Sequence, residues 1–298
     1  SQHMIYPDNF EQKIGFNEIR NMLRERCLST LGKEQVEKMA FSDDAEQVNE
    51  WLKQVREFRR LILEVEDFPL QYFYDVRESI VRIRIENTHL EENELFDLRR
   101  SLSTIDCIVK ILNHSDEDES HAEENDGWRR EKKYTYPSLH LLAKDIVTFP
   151  QIVQRIDQIL DKFGKIRDNA TPELLQIRRE LAKTEGSISR TLYSILRSAQ
   201  SEGVVEKDVT PTLRDGRLVI PVIPTLKKKI KGIVHDESAT GKTVFIEPTE
   251  VVEANNRVRE LEGEERKEII RILTQFTNKL RPYTREIMDS YRFLAKID

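Results

Sequence analysis

Glycine and proline are both scarce in this chain, ten of each among 298 residues, where globular proteins average about 7% and 5%. That shortage argues against an all-β protein, whose tight turns need both residues. It suits helices, because Glu, Lys, Arg, Leu and Ile lose little freedom on a helix while Gly loses the most. No apolar run approaches the roughly 18 residues of a spanning helix, and mean hydropathy is -0.59, so the sequence does not read as a membrane protein. Cysteine is nearly missing: Cys27 and Cys107 stand in helical, apolar surroundings without a CxxC partner. They read as reduced core residues of a cytoplasmic protein. An excess of positive charge is missing too. With 48 basic and 54 acidic residues the net charge is -6, so any nucleic-acid role has to come from a local patch. The start carries no basic segment leading into an apolar one, hence no signal peptide is expected, and Ser1–His3 before Met4 reads as an expression scar.

What is present is helical periodicity. Residues 4–113 read as an N-terminal helical core. Ile14, Phe16, Ile19, Met22, Leu23 and Leu28 fall at helical spacing, and Leu31-Gly32-Lys33 reads as a break between helices. Ser42-Asp43-Asp44 offers caps for a helix whose core stripe is Val48, Trp51, Leu52, Val55, Phe58 and Leu61-Ile62. Phe68-Pro69 interrupts, Asp75 to Ile85 predicts a short helix, and Thr88 to Leu112 a longer one with Leu90, Leu95, Leu98, Leu102, Ile105, Ile108, Val109 and Leu112 on one face. An acidic loop follows at residues 114–127, and the core continues over 128–170, with Gly164 as a helix C′ position.

Residues 171–205 form the best-marked helix. Thr171 is an N-cap, Pro172 the first helical residue, and Glu173 complements the dipole. Leu174, Leu181, Ile188 and Ile195 repeat every seven residues, thickened by Ile177 and Leu192. The period then falls from 3.6 to 2 over residues 206–248. Asp215-Gly216 supplies the positive φ angles of a tight hairpin between Thr210–Arg214 and Arg217–Val222. Lys229–Asp236 and Thr243–Glu247 give two more strands. Residues 249–298 return to helix along Val258, Leu261, Ile269, Ile272, Phe276, Leu280, Tyr283, Ile287 and Leu294, with Glu265 the one charge in the stripe. The predicted fold is mainly α with a small β insertion: a helical core plus long antiparallel lever helices carrying a β-rich clamp at the tip. Each lever buries its seam against the other, which an isolated helix could not do. The seam reads as intramolecular packing first and as a dimer interface second.

Several motifs imitate catalytic chemistry. Gly241-Lys242-Thr243 is the tail of a phosphate-binding loop, but Asp236 stands where its first Gly is required and Thr243-Val244-Phe245-Ile246 reads as a strand rather than a helix. It is a hairpin loop. His114 and His121 lie among carboxylates in a tract that does not pre-orient metal ligands. His235 beside Asp236 has no nucleophile at any readable spacing and reads as a solvent-facing strand residue. No catalytic, cofactor or metal residue is expected here. The one functional cluster is cationic: Lys207, Arg214, Arg217, Lys227, Lys228, Lys229, Lys231 and Lys242, all in the β insertion. Long cations of this kind contact phosphates without reading bases. They equally form an ordinary solvated edge, since Lys guards unpaired strands against aggregation, and Asp208, Asp215, Asp236 and Glu237 partly offset them.

The run Arg214-Asp215-Gly216-Arg217-Leu218-Val219-Ile220-Pro221-Val222, followed by Ile230–Pro248 (IKGIVHDESATGKTVFIEP), is similar to the middle region of the MutS-II proteins, the second bacterial branch of the MutS mismatch-repair ATPases. Val251-Val252-Glu253-Ala254-Asn255-Asn256 and Gly164–Leu174 continue the likeness, which covers Ile5 to Asp298. The resemblance implies a helical core, levers and an inserted clamp. It implies an N-terminal portion lacking an ABC-type ATPase domain, with its ATP and magnesium, and a C-terminal Smr nuclease domain, so that the portion is itself non-catalytic and holds no cofactor. It also implies partners: branched or duplex DNA held by its backbone, in suppression of homologous recombination, or ribosomes and their RNA in the handling of collided ribosomes, with a homodimer in the full-length protein. A purely mechanical dimerisation scaffold is the remaining reading.

Overall fold

The computed structural model describes residues 21, 24–25, 30–37, 45–65, 68, 74–115 and 133–298. The stripe Ile14 to Leu28, Cys27, the caps at residues 42–44, Pro69, His121 and nearly all of the acidic loop lie outside the described residues. Among the described residues the helices with defined bounds are α1 (Thr30–Glu37), α2 (Ala45–Glu64), α3 (Arg77–Arg82), α4 (Glu92–Leu112), α5 (Pro137–Ala143), α6 (Pro150–Ile159), α7 (Pro172–Ser201), α8 (Val252–Leu280) and α9 (Thr284–Ile297). Four strands, β1 (Thr212–Arg214), β2 (Arg217–Val222), β3 (Gly232–Glu237) and β4 (Val244–Pro248), sit between α7 and α8. The fold is therefore mainly α with a small antiparallel sheet inserted. Among the described residues no helix is long and apolar enough to cross a membrane. Two compact units form, Ser1–Lys165 with Leu273–Asp298, and Ile166–Ile272.

In the first unit α4 carries the core. Leu90, Leu95, Leu98, Leu102, Ile105, Ile108, Val109 and Leu112 are all buried, as their spacing predicts. Glu91 and Glu94 close a capping box at its start, and the Arg99 guanidinium donates to both oxygens of Asp157 on α6 at 2.8 and 3.1 Å. Ile287, Tyr291 and Leu294 of α9 are fully buried in the same unit.

Four expectations need correction in this unit. Leu31-Gly32-Lys33 is the first turn of α1, not a break. Cys107 is exposed, because the buried positions 101, 102, 104, 105, 108 and 109 leave it on the outer side of α4. The apolar stripe of α2 is not its docking side: Val48, Trp51, Leu52, Val55 and Ile62 are exposed, and only Leu61 is fully buried. Docking runs through Glu57, Leu61 and Glu64 instead. The Glu57 carboxylate accepts the Ser138 and Leu139 amides at 3.0 and 2.8 Å, capping α5, which has no cap of its own, and Glu64 accepts the Tyr136 hydroxyl at 2.8 Å. Gly164 is not a helix C′ residue either. α6 ends at Ile159, and Gly164, with φ of +80°, turns a loop organised by the Asp161 carboxylate, which accepts the Phe163 and Lys165 amides.

In the second unit α7 runs Pro172–Ser201, and Thr171 caps it as the sequence predicts, its Oγ1 accepting the Leu174 amide at 3.1 Å. The same hydroxyl donates to Glu268 of α8 at 2.9 Å. The Arg271 hydrogen bonds lead in holding the Glu268 carboxyl below the usual carboxylate range, against the opposing pull of burial and with help from Thr171. Thr171→Ala removes both bonds and is expected to cost about 1–2 kcal/mol, read by chemical denaturation, with Thr171→Ser restoring most of it.

α7 and α8 lie antiparallel. Glu173 meets Arg271 at 3.9 Å, Arg178 meets Glu265 at 3.1 Å, and Glu180 meets Arg257 at 2.9 Å. The Arg178–Glu265 pair is half-buried and the Glu173–Arg271 pair is exposed; solvent-screened pairs add little stability. The sevenfold repeat of α7 does not carry through. Leu174, Ile188, Leu192, Leu196 and Ala199 are buried while Leu181 and Ile195 are half-buried, so the C-terminal half follows the 3.6 period of a helix on a sheet. The returning helix is likewise two helices. Arg281–Tyr283 forms a 3-10 turn, since Pro282 has no amide to continue the ladder; Tyr283 is exposed rather than core, and Glu268 joins Glu265 as a charge in the stripe.

Candidate nucleic-acid interface

The sheet that displays the cations is built from the periodicity of its strands. Its order is β1-β2-β4-β3, every neighbouring pair antiparallel. Asp215 and Gly216 have φ of 54° and 74°, the expected tight turn. Ile220, Val222, Val244 and Ile246 point from alternate positions into one cluster with Ile188, Leu192, Leu196 and Ala199 of α7 and Val258 of α8. β2 and β3 run parallel with β4 between them, so the chain must cross over from one to the other. A 3-10 turn, Pro224–Lys229, makes that crossover. Leu226 and Ile230 anchor it against the cluster.

Between and beside those anchors stand Lys227, Lys228, Lys229 and Lys231, all exposed and without an ion-pair partner among the described residues. Three residues per turn put consecutive side chains about 120° apart, so the three turn lysines fan around the axis rather than forming a row. Lys242 lies in the β3–β4 turn and is also exposed. It stands at the opposite end of β3 from Lys231, roughly 20 Å away along a six-residue strand. Lys207, exposed, follows α7 in the loop whose Val204 and Val205 enter the core. Gly241-Lys242-Thr243 leads into β4, so it is a hairpin turn.

The two arginines are held differently from the lysines. The Arg214 guanidinium lies 4.1 Å over the Phe245 ring and 4.0 Å from Asp236. Arg217 is buried and faces away from solvent. Its Nε donates to both Glu247 oxygens at 2.8 and 2.7 Å, and its Nη2 lies 2.6 Å from Oε2. Glu247 is fully buried and also meets the His235 Nε2 and accepts the Asn255 amide, each at 2.8 Å. Burial pushes the Glu247 carboxyl up, and the hydrogen bonds from Arg217, His235 and Asn255 outweigh it, leaving the group below the usual carboxylate range. His235 therefore does not face solvent. It is the extra residue of a β-bulge between Val234 and Asp236, and the bulge re-aims its ring onto Glu247. Of the other histidines noted in the sequence, the described His114 bonds Thr135 Oγ1 at 3.1 Å.

This buried polar cluster was the feature that strand periodicity alone passed over. Its signals were a charge closing an apolar strand (Glu247 after Val244-Phe245-Ile246) and one opening another (Arg217 before Leu218-Val219-Ile220). They meet only once β2 is paired with β4, with Ile220 opposite Ile246.

A helix pair bearing an inserted sheet, with lysines exposed on its crossover, defines a mainly α protein with a cationic β insertion. No family model matches the chain. It is similar over nearly its whole length to curated proteins named Endonuclease MutS2: 32% identical over 285 residues to that of Geobacillus sp. (strain WCH70), covering 96% of this chain and 34% of the relative. Identity is 34% over 283 residues with that of Levilactobacillus brevis, covering 95% and 34%. It is 29% over 285 residues with that of Alkaliphilus oremlandii, covering 96% and 34%. The chain spans about a third of the length of the curated relatives it matches.

Proposed function

We propose that this chain is the core, lever and clamp portion of a MutS-II protein, and that its clamp holds nucleic acid through backbone phosphates without reading bases. The observation that carries the reading is the crossover turn. Lys227, Lys228 and Lys229 are exposed there and have no ion-pair partner among the described residues, and Lys231 follows directly. Strongly hydrated point charges on flexible stems suit phosphates of any sequence. The likeness to proteins named Endonuclease MutS2 supports the same reading. In the whole protein the substrate would be branched or recombination-intermediate DNA, and ATP- and magnesium-dependent chemistry would belong to an ATPase domain. The levers would couple that domain to the clamp.

If the four lysines of this cluster each neutralise one phosphate of B-DNA, log K falls with log salt at a slope near -3.6. Replacing Lys227, Lys228 and Lys229 by Glu is expected to abolish most of the affinity for a branched duplex and to bring the slope near -0.9, with the circular dichroism spectrum unchanged. Salt-independent binding, or binding that the triple reversal leaves in place, would overturn the reading.

A further inference from the structure

The outer face of α7 carries one sign of charge. Between Arg179 and Arg197, counted at 3.6 residues per turn, Arg179, Lys183, Gly186, Arg190, Tyr193 and Arg197 fall within about 40° of one line down the helix. That line runs opposite Ile188, Leu192 and Ala199, which pack against the sheet. The carboxylates of α7, on Glu173, Glu180 and Glu185, lie at least about 100° from it. The four cations are exposed and have no ion-pair partner among the described residues. On α8 the charges are mixed and paired: Arg257 meets Glu180, Glu260 and Glu264, and Arg271 meets Glu268. Mixed signs of that kind mark an ordinary solvated helix face, and α7 departs from it.

An aromatic ring interrupts these cations. Tyr193 is 47% exposed, with Arg190 one turn before it and Arg197 one turn after. The Arg197 Nε donates to the Tyr193 carbonyl at 3.4 Å. Gly186 has no side chain, and Arg190 Nη1 lies 3.5 Å from where its Cβ would stand, so that guanidinium lies along the helix. Cations that track phosphates and an aromatic face on which a base stacks are the two parts of a single-strand surface. A duplex cannot use both. Its bases are already stacked, and each of its strands winds through a full turn in about 34 Å, whereas the stripe is straight over about 27 Å. A membrane surface would need an apolar face, and Tyr193 is the one ring on the line.

We propose that this face of α7 takes an unpaired nucleic-acid strand, with phosphates on Arg179, Lys183, Arg190 and Arg197 and one base stacked on Tyr193. It is a different surface from the crossover lysines, because it lies on the side of α7 away from the sheet that carries them. It also takes a different form of nucleic acid.

The test is fluorescence anisotropy with a labelled oligothymidylate, on the whole chain carrying Lys227→Glu, Lys228→Glu and Lys229→Glu so that the crossover is silent. Binding is expected, with log K falling against log salt at a slope of about -2.8, that is about -0.7 for each of four phosphates. Arg190→Glu with Arg197→Glu is expected to halve that slope. Tyr193→Ala is expected to weaken binding roughly five- to hundredfold, and Tyr193→Phe to retain it. With the crossover intact, Tyr193→Ala is expected to leave the affinity for a fully paired branched duplex unchanged, which a folding defect would not. Oligouridylate distinguishes the source of the strand: tighter binding than oligothymidylate assigns it to RNA, weaker binding to DNA. No binding of either oligonucleotide would overturn the proposal. So would single-strand affinity that Tyr193→Ala leaves in place, or an equal loss for the duplex. None of these outcomes touches the crossover reading, which fails when the triple reversal spares the duplex.

Discussion

Glu247→Ala is expected to be the most damaging single substitution in the sheet. It removes a fully buried carboxylate that takes hydrogen bonds from Arg217, His235 and Asn255, and it leaves the buried Arg217 guanidinium without its counter-charge. Breaking a buried pair from one side costs about 3–5 kcal/mol, because the remaining charge is neither hydrated nor neutralised. The loss should appear as fast amide exchange in β2 and β4, while peptides of α4 keep their protection. Normal protection of β2 and β4 in the variant would remove the network from the account of the sheet. The same carboxylate makes a pH prediction. Its folded value lies below the ordinary 4.5, so the stability it contributes is fully present above that value and is lost as pH falls through the lower, folded one. Wild-type sheet stability should therefore drop on acidification below about pH 4.5, and Glu247→Gln should show a flatter profile from a lower starting point.

Gly232→Ala is the second large effect, and its cause is space rather than charge. A Cβ built at Gly232 would stand 2.1 Å from the Glu247 carbonyl oxygen and 2.8 Å from its carbonyl carbon. Neither is the far end of a flexible side chain, so the strands must part where Gly232 pairs with Pro248. Overpacking of this kind costs about 1–3 kcal/mol. The expected result is selective deprotection of β3 and the start of α8, with α7 unaffected. Gly241→Ala meets nothing within 4 Å, so at its φ of +68° only backbone strain acts. Unchanged protection of β3 in Gly232→Ala would mean that the close approach of β3 to β4 is not what the glycine provides.

These two positions differ in how far the sequence discloses them. Gly232 sits in a readable strand, but nothing local says that the neighbouring backbone passes so close. Glu247 closes a strand whose apolar run was legible, yet its partners come from β2, β3 and α8, 30, 12 and 8 residues away. His235 shows the same gap: without a nucleophile in reach it reads as a solvent-facing strand residue, and the fold instead sets its ring on Glu247. Lys227, Lys228 and Lys229 were legible as a cationic run, while their place on a crossover pinned by Leu226 and Ile230 was not.

By itself the sequence determined the local elements: the Thr171-Pro172 start of α7, the Asp215-Gly216 hairpin, the buried face of α4, and the change of period that marks the insertion. Caps, turn dihedrals and amphipathic spacing depend on residues a few positions apart, so a linear reading contains them. The tertiary structure alone decided which apolar stripes are covered, as α2 shows by docking through Glu57, Leu61 and Glu64 and leaving Trp51 exposed. It alone also decided which charges are withdrawn from solvent, as Arg217 and Glu247 are and the crossover lysines are not. Burial depends on what another part of the chain places opposite a side chain, and periodicity holds no information about that partner.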